Sequence, residues 1–202
     1  VDGLLGVDVL RNRAVTLDFA QNRFVVSAAQ SYSVTASADS GRLRAALPAD
    51  PAEVVVAARQ RFGQLVIIDA QVGRIPVTAF LDSGSENTVG NLSLARLLER
   101  DGLIHPVQQD VEMVGVTGQQ ARGRLSPIPP LRLGGLVIGQ LSAVLTDLHV
   151  FKLWELERTP AILLGMDVMR HFRSIKLDFA HRLVTFRAPG RLGEEGRMIE
   201  VR

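Results

Sequence analysis

The chain has 202 residues, 47% of them hydrophobic and 22% charged, with a formal net charge of +2 and no cysteine. That size and composition fit one substantial domain or two small ones. They exclude disulfides and thiolate chemistry, and they leave too little positive charge and too few aromatic rings for a nucleic-acid surface. No apolar run reaches the length of a membrane span, no secretory signal is visible, and a cysteine-free chain tolerates reducing and oxidising compartments alike.

Along the chain, Leu4-Leu5-Gly6-Val7-Asp8-Val9-Leu10-Arg11 comes first, followed by Leu17-Asp18-Phe19-Ala20. Both runs return near the other end, the first altered and the second unchanged. Residues 27–51 read as a linker, rich in Ser and Ala to Ser40 and followed by Gly41, Pro48 and Pro51, with Tyr32–Ala36 as a strand candidate. A main domain is expected over 52–188, opened by a strand at Glu53–Ala58. Leu65–Val72 reads as a strand rich in β-branched residues, Gly73-Arg74 as a turn, and Ile75–Leu81 as a second strand. Pro76 near its start predicts an edge or a position where no ladder donor is required.

The second strand runs into Asp82-Ser83-Gly84-Ser85. An Asp followed by a small hydroxyl residue and glycine is a common turn, because Asp and Ser bond back to the local backbone. Placed at the end of an apolar strand, it is also half of a two-aspartate site. Two carboxyls a few ångströms apart cannot ionise independently, so one keeps its proton while the other acts as a base. Such a pair can activate water and protonate a leaving group. A single half-site of this kind is read in the chain.

Beyond it, Asn91 is placed to cap a helix through Leu94, Leu97 and Leu98 that stops before Gly102. Val111–Leu125 reads as a glycine-punctuated hairpin turning at Gly115-Val116-Thr117-Gly118, either an ordinary hairpin or one that closes over a bound peptide. Trp154 reads as packing rather than as the wall of a substrate pocket. Ala161–Arg170 combines an apolar run, Gly165 and a short helix with Asp167 as its cap. Ile175–Phe186 reads as a hairpin. The tail 189–202 is polar and loosely held, with Met198–Val201 as a strand candidate. The four histidines (His105, His149, His171 and His181) have no zinc-ligand spacing, so no metal site is expected.

The order of these pieces resembles the retropepsin-like aspartic proteases, and most of all their bacterial members, over roughly residues 52–188. The match lies in Asp82-Ser83-Gly84-Ser85, the downstream glycine-containing hairpin and Leu163-Leu164-Gly165. The resemblance implies an all-β half-barrel with one or two short helices. It implies Asp82 as the catalytic carboxyl, Ser83 bracing two catalytic loops against each other, and Gly84 allowing close backbone approach. Gly115, Val116, Thr117 and Gly118 would form the tip of a flap over an extended peptide or protein substrate. Gly165 and Asp167 would be structural. No metal, nucleotide or other cofactor is implied.

Leu4–Arg11 echoes Leu163–Arg170, and Leu17–Ala20 is identical to Leu177–Ala180 after a slip of one residue. Two such matches at nearly one spacing mark an internal repeat. Residues 1–26 are therefore expected to be the C-terminal remnant of a preceding protease-like repeat, and the chain to be part of a longer protein. That segment would supply interface strands, dock on its own lobe, or swap between chains. The partner of Asp82 would come from the upstream repeat of a pseudo-dimer or, for these 202 residues alone, from a symmetric homodimer. The expected function is aspartic endopeptidase. The alternative is a non-catalytic retropepsin-like module for peptide binding or dimerisation. In a third reading, residues 27–62 occupy the cleft and block it.

Overall fold

The computed structural model describes residues 10, 12–29, 50, 52–61, 63–67, 69–104, 109–114, 120–190 and 197–201. Strand β1 (Arg13–Asp18) and β2 (Arg23–Ala28) form a hairpin, as do β3 (Glu53–Arg61) and β4 (Gln64–Ile67). The short strands β5 (Ala70–Val72), β6 (Ile75–Pro76), β7 (Thr78–Leu81) and β8 (Val89–Gly90) lead to and from the Asp82 loop. Helix α1 (Leu92–Arg100) precedes the hairpin of β9 (Gln109–Val114) and β10 (Gln120–Pro127). Then come β11 (Leu131–Leu133), β12 (Leu136–Gly139), β13 (Ser142–Leu145), α2 (His149–Leu153), β14 (Ala161–Leu164) and α3 (Met166–Met169). The hairpin of β15 (Ser174–Asp178) and β16 (Leu183–Arg187), and finally β17 (Arg197–Glu200), complete the described chain.

Twelve strands form one sheet in the order β2-β1-β15-β16-β3-β4-β7-β14-β8-β13-β10-β9, and β17-β12-β11-β5-β6 form a second. The fold is all-β, as the sequence predicts, with three short helices among the described residues rather than one or two. The added helix is α2, whose five residues are too few to show a helical period.

At the middle of the large sheet, β7 and β14 are covered on both faces. Ala79, Ile162 and Leu164 face the main core with Val54, Leu94 and Phe186. Phe80, Ala161 and Leu163 face a second core with Val66, Val89 and Phe151. This double burial explains why both strands read as continuous apolar runs instead of alternating ones. Burying a side chain the size of Phe80 contributes roughly 2–3 kcal/mol. Trp154 stacks on that ring with centroids 4.6 Å apart, so it packs, as expected.

The expected strands at 65–72 and 75–81 are each divided in two, because the chain changes sheets within them. β4 and β7 belong to the large sheet, β5 and β6 to the small one. At the second corner the Val77 amide donates to the Ala70 carbonyl (3.0 Å). Gly73 turns at φ +60°, and Pro76 lies on an edge strand of the small sheet, as predicted. The strand expected near the C-terminus is β17, parallel to β12, and it seats Ile199 in the core. The tail is thus held more firmly there than its polarity suggested. The strand candidate Tyr32–Ala36 and Leu4–Val9 lie outside the described residues. β3 is a sheet strand between β16 and β4, which removes residues 53–61 from any cleft-blocking role.

Asn91 caps α1 as its position predicted: its Oδ1 accepts from the Leu94 amide (2.9 Å). Sequence did not show the rest. The same oxygen accepts from the Ala161 amide at the start of β14 (3.1 Å), and Nδ2 donates to the carbonyls of Leu156 and Thr159 (both 2.8 Å). One fully buried amide thus ties helix, strand and connecting loop together. Asn91→Ala orphans these backbone groups and is expected to lower stability by about 2–4 kcal/mol, read as an earlier urea unfolding midpoint.

Candidate active site

β7 and β14 run parallel with Leu81 beside Leu164. The next residue, Asp82, donates its amide to the Leu164 carbonyl (2.9 Å). The carboxylate therefore leaves the end of a doubly buried strand rather than a free loop, and it is half-buried. The Gly84 amide donates to Asp82 Oδ1 (3.0 Å), and the Ser85 amide to the Asp82 carbonyl (3.2 Å). The turn reading of Asp-Ser-Gly is therefore met locally, and it orients the carboxylate. Among the described residues, Gly84 makes the one hydrogen bond that this carboxylate accepts. A Cβ on Gly84 would lie 3.2 Å from Asp82 Oδ1, so glycine keeps that contact open. Ser83 and Gly84 are exposed.

The loop is anchored from behind by β14 and α3. The Met166 amide donates to the Ser85 carbonyl (2.8 Å), and the Asp167 amide to the Glu86 carbonyl (3.0 Å). Ser85 Oγ donates to the Asn87 carbonyl (2.6 Å). At Gly165 a Cβ would lie 2.5 Å from the carbonyl carbon and oxygen of Asn87. The glycine of the Leu-Leu-Gly run is thus required by close backbone approach. Arg170 pairs with Glu86 at the surface, where such a pair contributes little.

Asp167 is not the helix cap expected from its position. Gly165 is the N-cap of α3, and Asp167 lies within its first turn. Its carboxylate accepts from the Thr88 amide (Oδ2, 2.8 Å), from Thr88 Oγ1 (Oδ1, 2.8 Å) and from the Val168 amide (Oδ1, 2.8 Å). Thr88 Oγ1 accepts in turn from the Gly165 amide (3.1 Å). Thr88 is fully buried, and sequence reasoning missed it. A threonine and an aspartate 79 residues apart carry no local signal.

Gly115, Val116, Thr117 and Gly118 lie outside the described residues. The strands that carry them, β9 and β10, pair antiparallel from Gln109↔Leu125 to Val114↔Gln120. A depression lined by Leu92, Asp110, Arg122 and Thr146 lies at the base of this hairpin and does not include Asp82.

The sequence also holds a second Asp-Ser-Gly, Asp39-Ser40-Gly41, so the triplet by itself occurs twice. It follows the strand candidate Tyr32–Ala36, a run more polar than the one that leads into Asp82, and it lies outside the described residues. The choice of Asp82 rests on the apolar strand that precedes it, not on the triplet.

The sequence model of a family described as "Aspartyl protease" matches residues 68–168, half of the chain. The chain belongs to this aspartyl protease family. The matched span contains both halves of the site, Asp82-Ser83-Gly84 and Leu163-Leu164-Gly165. The chain is also similar to the crystal structure of a retropepsin-like aspartic protease from Rickettsia conorii. The two are 16% identical with a TM-score of 0.43, and the alignment covers 67% of this chain and 89% of that one. No curated protein matches the chain at a significant level. Among the described residues no helix is long and apolar enough to cross a membrane, and no group of three or more His, Asp or Glu side chains could hold a metal ion.

Thr88→Val keeps the shape of the side chain and removes its hydroxyl. It is expected to cost about 1–3 kcal/mol by urea unfolding, whereas Thr88→Ser, which keeps the hydroxyl, is expected to retain most of the stability.

Proposed function

We propose that this chain is one half of an aspartic endopeptidase, in which Asp82 and a second aspartate activate water between them. The observation that carries this reading is the placement of Asp82. It stands at the end of a doubly buried strand, within the matched span, on a loop clamped by Thr88, Gly165 and Asp167. A nucleophilic water needs a base held in one position, and a rigid strand end supplies it.

With its partner close by, the pair shares one proton. The ionised carboxyl takes a proton from water as the oxygen attacks the peptide carbonyl carbon. The protonated carboxyl supports the developing oxyanion, and a proton then passes to the departing amine. Ser83, exposed beside Asp82, is placed to meet the partner loop. The substrate lies extended beneath the β9–β10 hairpin, with Gly115 to Gly118 as the covering tip. The partner aspartate comes from a second chain or from an upstream repeat.

The second reading, a non-catalytic module for peptide binding or dimerisation, is favoured by the presence of one strand-borne half-site among the described residues. The two readings part on Asp82→Asn. In purified full-length protein, an enzyme is expected to lose peptide-bond cleavage by more than about 100-fold while its unfolding midpoint stays in place. Equal cleavage by the variant and the parent, or no cleavage by either across the acid and neutral range, would favour the module.

A further inference from the structure

We propose that β2 is the seat of a second lobe of this same fold, for which β1–β2 is the closing hairpin. That lobe precedes β1 on the same polypeptide and carries the partner of Asp82. The inference deepens the two-aspartate reading and rests on it.

The sequence echo becomes a symmetry in the structure. Residues 160 positions apart are equivalent: the Gln21 amide donates to Asp18 Oδ1 and the His181 amide to Asp178 Oδ1, both at 3.0 Å. Asn22 and Arg182 both turn with positive φ, 49° and 57°. The two hairpins share one register, Ala14 facing Ser27 as Ser174 faces Arg187. They also pair with each other. β1 lies antiparallel to β15 with Thr16 opposite Lys176, its own equivalent. Around that pair the contacts are reciprocal: the Phe19 amide donates to the Arg173 carbonyl (3.0 Å) and the Phe179 amide to the Arg13 carbonyl (3.1 Å). A local two-fold axis therefore passes between Thr16 and Lys176.

The symmetry breaks at the outer strands. β16 continues onto β3 and buries Val184 and Phe186, which are 0% and 1% exposed. Their equivalents on β2, Phe24 and Val26, are 58% and 43% exposed, and among the described residues β2 is the last strand of the sheet. An apolar edge strand of this kind is an unfilled pairing site. What fits it is the equivalent of the lobe that covers β16.

A second copy of this chain does not meet that description. It closes its lobe with its own β15–β16, and the edge of β15 it would need is already taken by β1. The required lobe lacks a closing hairpin of its own. Leu4-Leu5-Gly6-Val7-Asp8, ahead of β1 as Leu163-Leu164-Gly165-Met166-Asp167 is ahead of β15, sets that lobe on the N-terminal side. The same two-fold would carry Asp82 onto the partner aspartate.

The test compares amide hydrogen exchange of β2 in the 202-residue chain and in the protein made from the complete reading frame, with sedimentation of both. Exchange at residues 23–28 is expected to be at least about tenfold slower in the complete protein, and the 202-residue chain is expected to sediment as a monomer. Phe24→Asp with Val26→Asp should leave the unfolding midpoint of the 202-residue chain in place and lower that of the complete protein. The upstream sequence should hold a strand-borne Asp-Ser/Thr-Gly before Gly6, at about the interval that separates Asp82 from Gly165. Equal exchange in the two proteins, a 202-residue dimer that protects β2, or no such upstream triplet would each overturn the proposal. Protection does not depend on catalysis. A protected β2 in an inactive protein would sink the enzyme reading alone, and an exposed β2 in an active one would sink the lobe alone.

Discussion

The parallel register that sets Leu81 beside Leu164 is the constraint on which the site depends. Parallel strands need a long connection between them, and here that connection includes the Asp82 loop, α1, the β9–β10 hairpin and part of the second core. The register brings Asp82 and Gly165, distant in sequence, to the same end of the sheet. It can be held only because β7 and β14 are buried on both faces, where a slip would move every side chain into the wrong core.

Around that register the polar groups act as fasteners. Asn91 joins the start of α1 to the start of β14, and Asp167 joins the start of α3 to the end of the Asp82 loop. Each is a side chain whose loss would strand several backbone groups with no replacement. Together they stiffen the loop so that the half-buried carboxylate of Asp82 is positioned by others, while among the described residues the Gly84 amide alone donates to it.

The hairpin symmetry bears on the same site. A site that needs two aspartates needs an element that sets two lobes in register. The antiparallel pairing of β1 with β15, reciprocal about Thr16 and Lys176, is an element of that kind. Of the expectations for residues 1–26, docking on the lobe is what β1 does, and it does so by using the edge of β15.

The amino-acid sequence by itself determined the all-β class, the strand-to-loop placement of Asp82, the capping role of Asn91, the closing hairpin and the repeated Leu-Asp-Phe-Ala. All of these are local: alternating or continuous burial, a cap within one turn, a turn residue beside its strand. Only the tertiary structure decided the rest. The sheet changes at Asp69 and Val77 are set by which partner strand is nearest, not by propensity. The bonds from Asp167 to Thr88 join residues on different elements, and no spacing rule connects them. The two hairpins resemble each other in sequence, but that Val184 and Phe186 are core while Phe24 and Val26 are surface follows from what covers each strand. Burial is a property of neighbours, and neighbours are chosen by the fold.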